Sequence, residues 1–222
     1  MEHTFTAVDE ELNALRRDVG LMGDLAVRQL SAAMDAFIRN DTARAAAIAS
    51  ADELLDAMDA DIERRAVRFI ALHQPMADDL RAPITAMKTA INLERCGDLA
   101  KNLAKRTGQL SRPPTAAQAK ALTELSGLVA DRLSQVIAAF RAEDAEDAKQ
   151  VWARDADVDE LHERVFRQIL QTMAGDPSSV EPSTHLLFIT KNLERIGDHA
   201  TNIAELVCYQ ATGCELLDRP KG

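Results

Sequence analysis

The chain has few aromatic residues and few residues that interrupt helices. Phe, Trp and Tyr make up 4% of its 222 residues, and only nine glycines and seven prolines occur. Alanine and leucine dominate instead, a composition that favours helix. No segment shows the alternation of apolar and polar residues expected of a half-buried strand. The sequence therefore predicts an all-α protein, long enough for one large domain or two small ones.

The chain also lacks the apolar runs that membrane insertion or secretion requires. No stretch approaches the roughly 18 uncharged apolar residues of a spanning helix, and Met1–Thr4 leads into no apolar signal core. The cysteines are odd in number, show no Cys-x-x-Cys spacing and are interpreted as reduced thiols. These absences predict a cytoplasmic protein with no direct membrane insertion.

Basic residues are outnumbered by acidic ones. Lys and Arg total 26 against 36 Asp and Glu, which gives a formal net charge of −10. Such a negative field argues against binding to nucleic acid or to an anionic membrane surface. The sequence also contains no glycine-rich phosphate loop, nucleophile elbow or Cys-His pairing. We therefore predict a protein that is not an enzyme.

What the chain does contain is an internal repeat. Asn92–Asp98 and Asn192–Asp198 agree at six of seven positions and lie 100 residues apart, which indicates a duplicated unit. Between the copies, the Pro113-Pro114 pair ends one helix and cannot sit inside the next. We predict two units, residues 1–112 and 115–222, that pack as pseudo-symmetric partners.

Apolar periodicity predicts three helices in each unit. In the last helix, apolar residues recur at alternating spacings of three and four, which is typical of a helix packed along a seam. The fold class is therefore predicted to be two pseudo-symmetric three-helix bundles, six helices in all. The predicted helices run roughly over residues 9–39, 41–72, 77–109, 116–141, 143–173 and 178–211.

Each copy of the repeat places two acids on one helix face. Residues four apart in a helix project side by side, so each pair lies next to the apolar seam, and an asparagine extends each row by one turn. The rows are Glu94, Asp98 and Asn102 in the first unit, and Glu194, Asp198 and Asn202 in the second.

The preceding helix of each unit carries a matching pair of acids. Counting back from predicted turns at residues 73–75 and 175–177 brings these acids level with the rows, because antiparallel helices advance by about 1.5 Å per residue. Glu94 is predicted to face Asp56 and Asp98 to face Asp52. In the second unit, Glu194 is predicted to face Asp159 and Asp198 to face Asp155.

Four carboxylates at one level of a helix pair require protons or cations nearby. Oxygen-rich clusters suit Mg²⁺, Mn²⁺, Ca²⁺ or iron, so we predict one multi-carboxylate metal site in each unit. Solvated acidic faces on an acidic helical protein are the alternative. His162 follows Asp159 by three residues, as in di-iron bundles, but the first unit has Asp59 at that place, so support for oxidase chemistry is weak.

The motifs resemble those of a known family. The segment Leu193–Ala200, continued by Asn202–Glu205, resembles the signature of the PhoU family, and Gln74–Arg81 resembles that family's Gln-Pro-x-Ala-x-Asp-Leu-Arg turn. The resemblance covers about residues 8–212. Two positions depart from the family pattern: Cys96 stands where isoleucine is usual, and 173–177 lacks the turn motif.

The resemblance implies a function as well as a fold. It implies two three-helix bundles, a homodimer, and a negative regulator that links the ATPase component of a phosphate ABC transporter to a sensor histidine kinase. It also implies iron, zinc, manganese or magnesium at the Glu/Asp-x-x-x-Asp pairs. By residue matching these pairs are Glu94/Asp98, Glu194/Asp198, Asp52/Asp56 and Asp155/Asp159.

Three functional hypotheses follow. The leading one is a non-enzymatic cytoplasmic regulator, peripheral to the membrane through its partners, that acts by protein contact and carries carboxylate sites for metal. The second is a carboxylate-bridged metalloenzyme of the helical-bundle type. The third is a purely structural adaptor whose acids are solvated.

Overall fold

Helices account for all the regular structure in the described part of the chain. The computed structural model describes residues 2–50, 53–214 and 216. None of the helices in these residues is long and apolar enough to cross a membrane. The elements are α1 Glu2–Ile38, α2 Thr42–Ser50, α3 Glu53–His73, α4 Asp78–Thr107, α5 Ala116–Ala142, α6 Ala145–Ala153, α7 Asp155–Gly175, a 3₁₀ turn Pro177–Ser179, and α8 Val180–Thr212.

The middle helix of the second unit is divided into α6 and α7 where the sequence predicts one helix over residues 143–173. In the first unit, α2 and α3 lie on either side of residues 51–52, which are outside the described residues. In the second unit the division falls at Arg154, whose φ of −104° and ψ of 19° lie outside the helical range. Apolar periodicity does not detect this division because the apolar positions continue in phase across a single non-helical residue. Otherwise, the predicted six-helix, all-α fold is confirmed.

Local signals explain where the second unit's helices begin and end. Thr115 and Gln118 form a reciprocal capping box at the start of α5, and the Asp144 side chain accepts two backbone N–H groups at the start of α6. Gly213 ends α8 with φ +70°, a conformation that glycine adopts without strain. Because α8 runs from Val180 to Thr212, the second motif copy lies near its centre.

The helices form two layers around one apolar core. α4 and α8 pack against each other and, on one side, against α1 and α5. α3 flanks α4, and α6 and α7 flank α8, so each unit is a three-helix bundle. The core contains residues from both units, for example Leu93, Leu133 and Ile189, each fully buried. The division into 1–112 and 115–222 stays a prediction, because the units share this core.

The α4–α8 pair is antiparallel, and its register brings the two motif copies together. The Asn92 Oδ1 atom lies 2.9 Å from His199 Nδ1, and Arg81 Nε donates to the Gln210 carbonyl at 3.0 Å. These contacts place the centres of the two repeats opposite each other, as a pseudo-two-fold arrangement requires. The carboxylate rows then point away from this seam, toward α3 in one unit and α7 in the other.

Candidate functional site

The first unit brings acids of α3 and α4 into one neighbourhood. Asp56 and Asp59 of α3 lie near Glu94 of α4, close enough for their charges to act on it. Arg95 lies among them: its Nε is 3.4 Å from Glu94 Oε2 and its Nη1 is 3.6 Å from Asp98 Oδ2. Asp52, the fourth predicted acid, lies outside the described residues. The structure therefore supports the predicted neighbourhood of Glu94 and Asp56 and adds a cation to it.

Burial and mutual repulsion act on the acids of the first unit. Burial raises the pKa of Glu94, and the charges of Asp98 and Asp56 raise it further while Arg95 opposes them. Burial also raises the pKa of Asp59, followed in effect by the charge of Glu63. Because charged forms are disfavoured here, a proton or a cation would stabilise this cluster.

The second unit places a histidine, in addition to acids, near its row. His162 of α7 is half-buried beside Glu194 of α8, with Asp159 also close enough to act on it. Glu194 accepts a hydrogen bond from Lys191 Nζ at 2.7 Å through Oε1. Within the described part of the chain, Glu194 Oε2 and His162 Nε2 are buried and have no hydrogen-bond partner. Unpaired buried polar atoms are costly, so these two atoms mark a place suited to a ligand.

The register of the second hairpin differs by about one helical turn from the predicted one. Asp155 is buried, and its Oδ1 accepts a hydrogen bond from the Thr201 hydroxyl at 2.6 Å. The prediction placed Asp155 opposite Asp198, which lies three residues earlier. Gly197, one turn before Thr201 on α8, faces Val158 of α7. A Cβ at Gly197 would lie 3.0 Å from Val158 Cγ1. The 3₁₀ turn at Pro177–Ser179 lengthens the connection and accounts for the shift.

The two asparagines that extend the rows do not behave alike. Asn102 is exposed on α4. Asn202 lies at the α4–α8 seam, where its Nδ2 donates to Asn92 Oδ1 at 3.5 Å. Asn202 is therefore placed between the two units, whereas the sequence placed it at the end of the acidic row.

The donor atoms suit a cation, although they do not surround one point. In residues 2–50, 53–214 and 216, no group of three or more His, Cys, Asp and Glu side chains is arranged to hold a metal ion. The buried, unpaired Glu194 Oε2 and His162 Nε2 nevertheless fit a metal of borderline hardness such as zinc or iron. The first unit offers only oxygen donors, which suit Mg²⁺ or Mn²⁺. The predicted metal ligands remain predictions.

Sequence reasoning did not identify two side chains that contact these acids. Thr201 binds Asp155, and Lys191 binds Glu194. Lys191 lies within one turn of Glu194 on the same helix, a spacing that signals an ion pair. For Thr201 the signal is the pairing obtained by counting back from the turn between α7 and α8. A turn longer by three residues would have placed Thr201 opposite Asp155.

The repeat and the geometry agree with a comparison against protein families. The family model described as "PhoU domain" matches residues 19–107 and again residues 122–207, one match in each unit. The chain belongs to the PhoU family. The two matched segments include both copies of the motif, so the duplication seen in the sequence is the duplication of PhoU domains.

Relatives within the PhoU family are similar along nearly the whole chain. A protein of Caulobacter vibrioides (strain NA1000 / CB15N) is 46% identical over 222 residues, 99% of this chain and 96% of the relative. A protein of Zymomonas mobilis subsp. mobilis is 40% identical over 220 residues, 99% of this chain and 93% of the relative. Both relatives are named phosphate-specific transport system accessory protein PhoU homolog.

Solved PhoU structures share the fold. The crystal structure of the phosphate transport system regulatory protein PhoU from Streptococcus pneumoniae superposes with a TM-score of 0.88 at 28% identity, covering 94% of this chain and 99% of that one. PhoU from Pseudomonas aeruginosa gives a TM-score of 0.86 at 32% identity, covering 93% and 99%. The arrangement of two three-helix bundles is therefore that of the PhoU family.

Proposed function

We propose that this protein is a negative regulator of phosphate uptake and of phosphate-starvation signalling. The observation that carries the proposal is the 46% identity over 99% of the chain to a phosphate-specific transport system accessory protein. The preserved length matters, because both units and the seam between them are needed for one continuous core. In this role the protein represses the starvation response while phosphate is plentiful.

The proposed mode of action is protein contact. The partners would be the ATPase component of a phosphate ABC transporter and a sensor histidine kinase, both reached from the cytoplasm, and the protein would act as a homodimer without catalysing a reaction. Open clefts between helices favour contact with other proteins: one of about 660 Å³ lies between α5 and α7, and another of the same size lies along the α4–α8 seam.

We further propose that the two carboxylate rows bind metal ions. Glu194 and His162, with Asp159 nearby, would hold a zinc- or iron-type ion in the second unit. Glu94, Asp56 and Asp59 would hold a Mg²⁺- or Mn²⁺-type ion in the first unit. In the first unit a bound cation would neutralise carboxylates that burial and repulsion disfavour, and would thereby fix α3 against α4. In the second unit it would give partners to the buried Glu194 Oε2 and His162 Nε2 atoms and fix α7 against α8.

The regulatory proposal is tested in a strain from which the gene for this chain is deleted. We expect expression of starvation genes to become high in phosphate-rich medium, and to fall again when the chain is supplied from a plasmid. Phosphate uptake and the activity of a starvation-promoter reporter are measured in the same cultures. The first measurement tests the regulation of uptake, and the second tests the regulation of starvation signalling. Unchanged uptake together with unchanged expression after deletion would contradict the proposal.

A further inference from the structure

The outward face of the α4–α8 seam, on the side away from α1 and α5, has two chemically different ends. Positions 100 residues apart are equivalent by the duplication, so a difference between them is not imposed by the fold. At one end, which we name the apolar end, lie Ile91, Leu206 and Tyr209. The equivalent positions at the other end carry Lys191, Arg106 and Gln109, and Lys105 replaces Glu205. We name Lys105, Arg106 and Lys191 the cationic end.

The apolar end contains a cleft that is open to solvent. Its volume is about 660 Å³. Ile91, Leu206 and Tyr209 line it together with polar residues that include Lys88 and Glu205. The Ile91 side chain is 48% exposed, an unusual exposure for a large aliphatic residue in a helix that otherwise buries its apolar face. Burying such surface is worth about 25 cal/mol per Å², so the cleft favours an apolar side chain from another molecule.

The cationic end contains a guanidinium group that stacks on an aromatic ring. Arg106 Cζ lies 4.0 Å from the centre of the Phe188 ring, and Phe188 itself is 51% exposed. In the described structure, Arg106 Nε is buried without a hydrogen-bond partner, and Nη1 is 3.5 Å from His185 Nδ1. Burial lowers the pKa of Arg106 because it disfavours the charged form. Stacking on the ring holds the group ready for a carboxylate.

Stabilisation of the end of α4 is the simplest structural reason for part of this charge. Lys105 and Arg106 lie in the last turn of α4, where cations interact favourably with the helix dipole. That reason does not cover Lys191, which lies in the interior of α8 and also pairs with Glu194. It also does not account for the exposed Phe188 ring.

We propose that this face of the seam binds a helix of a partner protein that is apolar at one end and acidic at the other. Lys88, which lines the cleft at the apolar end, and Arg106 are separated by 18 residues along α4, about 27 Å at a rise of 1.5 Å per residue. A partner helix of about 18 residues would therefore reach both ends. Its apolar turn would fill the cleft, and its carboxylates would pair with Arg106 and Lys105.

This inference rests on the proposed function in one respect, because the partner would belong to the phosphate transport and signalling system. The surface itself is tested with purified full-length chain and two synthetic peptides. One labelled 18-residue helical peptide has leucines in one half and glutamates in the other, and its isomer has the same composition with the two residue types mixed along its length. Fluorescence anisotropy at several salt concentrations measures binding.

We expect the segregated peptide to bind several-fold more tightly than the mixed isomer. Lys105→Glu combined with Arg106→Glu should weaken binding about tenfold and reduce its salt dependence, to which only Lys191 of the cationic end would still contribute. Arg68→Glu combined with Lys149→Glu changes the net charge equally on exposed faces of α3 and α6, outside both clefts, and should leave binding unchanged. Equal binding of both peptides, or equal loss in both double variants, would overturn the proposal.

Two further measurements distinguish a partner helix from a second copy of the chain, and the surface proposal from the regulatory one. If the charge-reversed double variant binds the peptide normally but changes its sedimentation, the face binds a second copy of the chain and the proposal is wrong. In the deletion strain, the charge-reversed variant should fail to repress the starvation reporter, while the Arg68/Lys149 variant represses it. If wild type represses and the charge-reversed variant does so equally, the surface proposal fails and the regulatory one stands. If wild type itself does not repress, it is the regulatory proposal that fails.

Discussion

The two PhoU units place the same seven-residue motif in different surroundings. In the first unit Glu94 meets further acids and Arg95. In the second, Glu194 meets His162 and Lys191, and a buried Asp155 is fixed by Thr201. The motif therefore places a glutamate at the same position in both units, whereas the side chains around it, on its own helix and on the flanking helix, determine what it can bind. Substitutions in the second unit are expected to change stability most, because its contacts are more deeply buried.

The close approach of α7 and α8 at Gly197 should give the largest effect on stability. Gly197→Val adds a branched side chain whose Cβ alone would lie 3.0 Å from Val158. We expect a loss of about 2–3 kcal/mol from overpacking, lowering the melting temperature by about 5–10 °C. Gly127→Val is the matched control, because nothing lies within 4 Å of a Cβ there. A similar loss in both variants would show that the effect does not come from the contact with Val158.

The buried hydrogen bond from Thr201 to Asp155 should give the next largest effect. Thr201→Val removes one donor to a carboxylate that is 8% exposed, and should cost about 1–2 kcal/mol. Lys101 is the equivalent residue of the first unit and is partly exposed, so Lys101→Met should change stability by less than about 0.5 kcal/mol. Denaturant unfolding of both variants checks this. Equal losses of stability would mean that the surroundings of Thr201 and Lys101 do not differ in burial.

Acidification should affect the two units in opposite directions, with small effects. Burial lowers the pKa of His162, although the charge of Glu194 opposes this. Its contribution to stability is therefore present above the ordinary histidine pKa of about 6.5 and is lost as pH falls. His162→Asn should reduce the fall in melting temperature between pH 7 and pH 5. His199, whose pKa burial also lowers, remains in the variant and keeps part of that fall.

The equivalent residue of the first unit predicts the opposite sign. Burial raises the pKa of Asp59, so its charged form opposes folding at neutral pH, and this cost disappears as pH falls toward the ordinary aspartate pKa of about 3.9. Asp59→Asn should therefore raise the melting temperature at pH 7 and leave it nearly unchanged near pH 4. A decrease at pH 7 would show that Asp59 is stabilised by a partner, such as a bound cation.

Much of the fold could be predicted from the sequence because periodicity and duplication are properties of the chain itself. The Asn92–Asp98 and Asn192–Asp198 repeat indicated two units, and the apolar stripe of α8 indicated the seam. The division at Arg154 could not be predicted, because a single non-helical residue leaves the apolar positions of α6 and α7 in phase. This error concerns backbone geometry at a helix junction, where the hydrophobic pattern carries little information.

The site could be predicted in outline but not in register. The sequence correctly placed Glu94 near Asp56. In the second unit a 3₁₀ turn moved the pairing by about one turn, so Thr201 lies opposite Asp155. The hydrogen bond of Asn202 across the seam was also missed, because periodicity alone does not distinguish neighbouring faces of a helix surrounded by others. Which acids bind a metal ion stays a prediction.

The most direct test of the central claim compares metal-dependent stability in the two units. Chain freed of metal would be titrated with Zn²⁺, and melting temperature and bound zinc would be measured for wild type, for Glu194→Gln with His162→Gln, and for Glu94→Gln with Asp59→Asn. The account predicts that Zn²⁺ raises the melting temperature of wild type and of the first-unit variant, and that the second-unit variant loses this rise. If zinc stabilises none of the proteins, or if the first-unit variant alone loses the rise, the account is contradicted.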